Sequence, residues 1–367
     1  MSNEIKKRVL LASVLKPVDD TRMFEKIGAT LAEEGYEVFV IGYPSNVQVV
    51  TPGITVLSLP RFNRTSLKRL FIPWIVYRKI NAVKPGTIII NTPELLFVAA
   101  LNRIFHKRQV IYDVLENYYR TIRFTSTYPR GIRVFVASVV RLTEFIMSRF
   151  VHKFFLAEKG YERELNFVNN PVVLENKLPR KVAERHATAQ HQPYYNLLFS
   201  GTLAPSTGVF EAIKLSRELH AIDDRYRLTI IGYAAVPDVY QQIQSEIQHA
   251  GFIQLIGGGH LVAHADILRE ISKAGTGLIL YPSNPGTESS IPTKLYEYLA
   301  LRLPIVISHT GPSHELVTRY NAGVIWQPGM HAADLNRLLA DSRFTFDCED
   351  SVYWDSQAAL LIAAIKP

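Results

Sequence analysis

Short runs of Val, Ile and Leu alternate with amphipathic stretches along almost the whole chain. "RVLLASVL" predicts a strand, "DTRMFEKIGATLAEEGY" a helix ending at Gly35, and "EVFVIGY" a second strand. Further strands are expected at "ITVLSLP", "TIIIN", "QVIYDV" and "KFFLAEK", with helical patterns between them. Short, fully apolar strands alternating with helices argue for a parallel, doubly wound sheet. Residues 176–195, "NKLPRKVAERHATAQHQPYY", lack an apolar period and carry prolines and charges, so they read as a linker. The pattern then restarts with the strands "NLLFSG", "RLTIIGY", "FIQLIG", "TGLILY" and "PIVIS", again separated by helices. The expected organisation is a Rossmann-like domain over 1–175, the linker over 176–195, a second Rossmann-like domain over 196–350 and a terminal helix over 351–367. Two such domains would face each other across a cleft, with the loops at the carboxyl ends of the strands holding the ligand.

Composition narrows the class. The 367 residues are 47% hydrophobic and 20% charged, ample for two ordinary cores. A single cysteine, Cys348, excludes a disulfide framework and a cysteine-rich zinc site. The amino-terminal apolar run reads as a first strand because no small-residue cleavage site follows it. The most hydrophobic stretch, "VFVASVVRLTEFIMSRFVHKFF", is interrupted by Arg141, Glu144, Arg149 and Lys153. A cytoplasmic protein is therefore expected. The net charge of +8 is uneven: residues 1–180 hold 27 Lys and Arg against 15 Asp and Glu, and the rest hold 14 against 18. One half is thus suited to an anionic surface or ligand.

Four loops carry candidate chemistry. In "KPVDDTRMF", Asp20 caps a helix, while Arg22 in the first turn opposes the macrodipole and is either a solvated arginine or an anion ligand. In "IYDVLENYY", Asp113 and Glu116 end a strand, where carboxylates can orient or deprotonate a hydroxyl; helix capping is the alternative for Asp113. Asn91, Thr92 and Glu94 end another strand as a weaker polar cluster. In "FSGTLAPSTGVFEAI", Gly201, Thr202, Ser206, Thr207 and Gly208 precede a helix start that suits phosphate or is an ordinary hydroxyl-capped turn. In "GTESSIPTKLYEYLA", Ser289 or Ser290 can cap a helix with Pro292 in its first turn. Lys294 and Glu297 then share one helix face in the weaker of the two pair orders, which favours a ligand role. There Lys294 would meet a diphosphate and Glu297 a pair of ribose hydroxyls. "IGGGH" reads as a flexible turn. No HExxH, Asp-x-Asp, Walker or Gly-x-Ser-x-Gly pattern occurs, so no metal or cofactor is expected.

These motifs together resemble the family 4 retaining glycosyltransferases of the GT-B fold, of the bacterial surface-polysaccharide or glycolipid type. The resemblance runs from "DDTRMFEKIGATLAEEGYEVFVIG" through "IYDVLENY" and "LLFSGTLAPSTGVFEAI" to "IPTKLYEYLALRLPIVIS", its most specific segment, and "GPSHELVTRYNAGVIW". It implies metal-independent transfer of a sugar, with retention, from a nucleotide-diphosphate sugar to a saccharide or lipid-linked saccharide. It also implies a terminal helix that crosses back to the first domain. The donor residues it implies are Glu297, Lys294, Ser289, Ser290, Glu288, Gly201, Thr202, Thr207 and Gly232; the catalytic candidates are Glu116, Asp113, Arg22 and Lys294.

The sequence also departs from the family pattern. Ser289 stands where the family has its first glutamate, with Glu288 one residue early. Thr202 and Thr207 stand where many members carry Arg and Lys, and Leu115 replaces a histidine. Lys294 and Arg22 are the cations available to replace the missing ones. A non-catalytic nucleotide-sugar binder and a GT-B epimerase are the alternative readings. Residues 61–80, "RFNRTSLKRLFIPWIVYRKI", suit either an interfacial helix on an anionic membrane or an exposed fold helix. Nucleic acid is not expected, since no recognition motif accompanies the charge.

Overall fold

The computed structural model describes residues 8–45, 51–60, 69, 71–124, 129–187, 191–283, 290–308, 311–327 and 329–366. The chain forms two compact units, one of Met1–Asn176 with Trp354–Pro367, the other of Lys177–Tyr353.

The first unit holds seven parallel strands: β1 (Arg8–Pro17), β2 (Glu37–Tyr43), β3 (Ile54–Ser58), β4 (Thr87–Ile90), β5 (Gln109–Val114), β6 (Lys153–Leu156) and β7 (Pro171–Val173). Their order is β3-β2-β1-β4-β5-β6-β7. Central strands such as β4 are buried at every residue, which is why they read as unbroken Ile runs rather than alternating ones. One sheet face is covered by α1 (Thr21–Gly28, wound as a π-helix), α2 (Ala29–Glu33) and the terminal α15 (Ala358–Ile365). Asp20 caps α1, accepting the Arg22 and Met23 N–H groups at 3.1 and 3.0 Å. Trp354 is buried against this face, and its indole N–H donates to Thr30 Oγ1 at 2.9 Å. The other face is covered by α3 (Ile72–Val83), α4 (Leu96–His106) and α6 (Arg130–Met147). The shorter α5 (Tyr118–Phe124) leads into α6, and α7 (Tyr161–Glu164) leads towards β7. Of the stretch 61–80, residues 61–68 and 70 lie outside the described residues. The rest is largely α3, a fold helix that buries Ile72, Val76 and Ile80.

The second unit opens with α8 (Arg180–His186). This corrects the linker expected at 176–195: Leu178 and Ala183 are buried in the second unit's core. Two apolar anchors within one short amphipathic turn are too few to give a visible period. The strands β8 (Asn196–Thr202), β9 (Arg227–Tyr233), β10 (Ile253–Gly258), β11 (Thr276–Ile279), β12 (Ile305–Ser308) and β13 (Gly323–Trp326) form a parallel sheet in the order β10-β9-β8-β11-β12-β13. The helices are α9 (Val209–Ile222), α10 (Pro237–Ile247), α11 (His264–Lys273), α12 (Thr293–Ala300), α13 (Gly311–Arg319) and α14 (Ala332–Asp341). Gly257 and Gly258 belong to β10, so "IGGGH" is in part strand rather than a flexible turn.

Candidate functional site

From β8 and β11, neighbours in the second sheet, the strand order runs outward in opposite directions. Their carboxyl ends therefore bound the switch point where open α/β sheets take ligands. The strand ends beside it are bare, with Gly201, Gly232 and Gly257 side by side in register across β8, β9 and β10. After β8 the chain turns into α9. The Thr207 hydroxyl lies 2.7 Å from the Thr202 carbonyl and accepts the Ala204 N–H at 3.2 Å. Thr207 thus holds the turn itself, while Thr202 is exposed. Gly208 follows with φ 84°, and a Cβ there would collide with the Leu280 carbonyl. Only glycine lets α9 start this close to the end of β11. Among the described residues no side chain caps α9, which leaves its first N–H groups for solvent or an anion.

Lys294 enters the same switch point from α12. It is only 6% exposed. Its ammonium lies 3.8 Å from the ring centre of Phe199 on β8 and 5.4 Å from that of Tyr281, just past β11. Nζ has no hydrogen-bond partner among the described residues. Burial pushes its pKa down to about 7, against a smaller opposing pull from Glu297. Glu297, one turn on, is equally buried, and its Oε1 lies 2.9 Å from His264 Nε2 at the start of α11. The sequence did not single out His264, which lies 33 residues from Glu297. No local spacing links the two; only the packing of α11 on α12 does. The start of α12 differs from expectation. Pro292, extended at ψ 141°, precedes the helix, and no side chain caps it. Ser290 is used through its carbonyl, which accepts the Ser313 hydroxyl at 3.1 Å. Glu288 and Ser289 lie outside the described residues.

Three of the four catalytic candidates lie in the first unit, apart from Lys294. Arg22 and Asp113 are buried and bound to each other, with Nε to Oδ2 at 2.9 Å and Nη2 to Oδ1 at 2.6 Å. Arg22 Nη1 also donates to the Leu174 carbonyl at 2.7 Å and Asn176 Oδ1 at 2.9 Å. The cation expected to meet a diphosphate and the carboxylate expected to orient or deprotonate a hydroxyl are thus bound to each other in this structure. Two charges this deep persist only when paired and hydrogen-bonded, and the pair ties β5 to the last residues of the unit's main segment. Glu116 is half-buried and accepts the Thr121 hydroxyl at 2.9 Å. At this sheet's own switch point, between β1 and β4, Asn91 and Thr92 are buried, and among the described residues neither Asn91 amide atom nor Thr92 Oγ1 has a partner.

Residues 182–353, nearly all of the second unit, match the family described as Glycosyl transferases group 1. No curated protein matches the chain in sequence. Among solved structures, sucrose-phosphate synthase from Thermosynechococcus elongatus superposes with a TM-score of 0.71 at 13% identity, covering 97% of this chain and 98% of that one. A UDP-forming trehalose-phosphate synthase from Burkholderia xenovorans gives 0.64 at 11% identity, covering 98% of each chain. Anabaena HepE, in complex with UDP and glucose, gives 0.59 at 16% identity, covering 98% of this chain and 96% of that one. At such identities these likenesses establish architecture alone. The second unit thus matches the Glycosyl transferases group 1 family, and the chain as a whole has the GT-B fold of two parallel-sheet Rossmann-like domains.

Proposed function

We propose that the protein transfers a sugar from a nucleotide-diphosphate donor to a saccharide or lipid-linked saccharide, without a metal and with retention. The observation that carries this is Lys294, a buried lysine at the switch point of the second sheet whose Nζ has no hydrogen-bond partner among the described residues. A lysine desolvated this far gains most from an arriving anion. The leaving diphosphate would lie between Lys294 and the uncapped start of α9, which stabilise the charge that develops as the anomeric bond breaks. The bare glycine ends of β8 and β9 let a phosphate approach the backbone. Glu297, oriented by His264, would take the ribose hydroxyls. The acceptor hydroxyl attacks from the face the diphosphate leaves and passes its proton to that departing group. Glu116 is the first-unit carboxylate proposed to orient the acceptor. HepE was solved with UDP and glucose, which makes UDP the first nucleotide to try.

Titration with UDP, GDP and ADP tests this. One should bind, and Glu297→Ala should weaken it about ten- to hundredfold, since hydrogen bonds to a charged group are worth roughly 1.5–3 kcal/mol. Binding of none of the three, or an Ala variant with unchanged affinity, would sink the donor assignment.

The basic first half supports a place at the inner face of a membrane, where a lipid-linked acceptor would be met. No helix among the described residues is long and apolar enough to cross one.

A further inference from the structure

The layer of α3, α4 and α6 has an inner side that builds the core and an outer side that is largely apolar. α6 spans 18 residues but fully buries only Ala137 and Glu144. Phe135 is 71% exposed on it and Leu142 57%, with Ile132 and Phe145 also open. Adjacent α4 adds Phe105, 69% exposed, and α3 adds Trp74, 59% exposed and stacked on Tyr77 at 5.3 Å. Soluble monomers rarely expose apolar surface contiguously across three neighbouring helices.

Charge decides what covers it. Residues 61–150 contain 16 Lys and Arg against 4 Asp and Glu. Of those four acids, Asp113 and Glu144 are buried, Glu94 is ion-paired with Arg69 and Glu116 is half-buried. Arg103, Lys107, Arg130 and Arg149 are exposed around the same helices. A second copy joined through this face would set like charges against like. Anionic headgroups would neutralise them while acyl chains receive the aromatic and aliphatic side chains.

We infer that the outer face of α3, α4 and α6 is a docking surface for an anionic lipid bilayer, with α6 lying in the interface plane. This deepens the membrane-peripheral reading above by naming its surface, and it does not depend on the donor site. It also moves the contact away from 61–80 alone: α6, whose charges exclude a span, serves as an interfacial helix instead.

The test is co-sedimentation of the whole protein with phosphatidylcholine vesicles and with vesicles also containing phosphatidylglycerol. The protein should bind the anionic vesicles and release steeply with added salt. Phe135→Glu with Leu142→Glu, at exposed positions, should weaken binding about tenfold or more, since each removes a buried apolar side chain and adds a repelled charge. Phe135→Ser with Leu142→Ser should give a smaller loss. The thermal response to nucleotide should be the same in all three proteins. If wild type ignores anionic vesicles, or the Glu pair binds like wild type, the inference is overturned. A dimer at micromolar concentration that the Glu pair dissociates, without vesicle binding, overturns it in favour of a second copy. Vesicle binding with no nucleotide bound would leave it standing and remove the donor reading alone.

Discussion

Lys294 folds at a cost. Its pKa falls from 10.5 to about 7, mostly through burial. Between those values the unfolded chain holds a proton that the folded chain does not, so stability rises with pH across that window. Lys294→Met should flatten that slope, measured as the urea midpoint from pH 7 to 10; an unchanged slope would show that Lys294 does not set it. A diphosphate placed against Nζ reverses the balance and draws the proton back. Nucleotide binding near pH 8 should therefore take up a proton, read as a dependence of calorimetric heat on the buffer's ionisation heat. Lys294→Arg, always charged, should bind without that uptake. The sequence marks Lys294 and Glu297 because the pair order is unfavourable for an isolated helix. It could not show that Glu297 turns to His264, or that Phe199 and Tyr281 box the ammonium, since those neighbours come from three other segments. Arg22 and Asp113 show the opposite failure. Arg22 looked functional in a helix's first turn and Asp113 at a strand end, but they lie 91 residues apart and meet only once the sheet is assembled.

At the scale of elements, strand runs and helix periods were legible because each buried strand is apolar on both faces. What escaped was short: β7, of three residues, and α8, of seven. α6 is the instructive case. Its apolar outer face gave it the look of a broken span, whereas its one buried charge is Glu144. Glu144 Oε1 accepts the Tyr112 hydroxyl at 2.9 Å, while Oε2 has no hydrogen-bond partner among the described residues and Arg141 stands 3.8 Å away. Burial raises its pKa from 4.5 to about 7, outweighing the lowering by Arg141 and by the Tyr112 bond. Between those values the folded protein holds a proton that the unfolded chain has lost, so this group makes stability fall as pH rises through the window. Glu144→Gln keeps an acceptor for Tyr112 and removes the charge. It should raise the melting temperature by a few degrees near pH 8 and leave it nearly unchanged near pH 4. A variant less stable than wild type at both values would assign Glu144 a structural ion-pair role with Arg141 instead.

At the scale of the molecule, the chain leaves the first unit after Asn176 and rejoins it at Trp354. That unit is completed only by the last segment, whose Trp354, Leu361, Ala364 and Ile365 are buried among Val9, Leu11, Phe24, Ile27 and Ile111. The second unit is continuous and needs nothing from either terminus to close its own core. The two should therefore respond separately to separate perturbations. Trp354→Ala removes a buried indole and the hydrogen bond to Thr30 Oγ1, a loss of about 3–5 kcal/mol for a large core aromatic. In calorimetry it should lower a first-unit transition by several degrees. The nucleotide that binds should raise the second-unit transition instead, because ligand stabilises the fold that holds it. Nucleotide should still shift that transition in Trp354→Ala. If the tryptophan variant lowers every transition together, the units unfold as one cooperative body, and the terminal segment stabilises both.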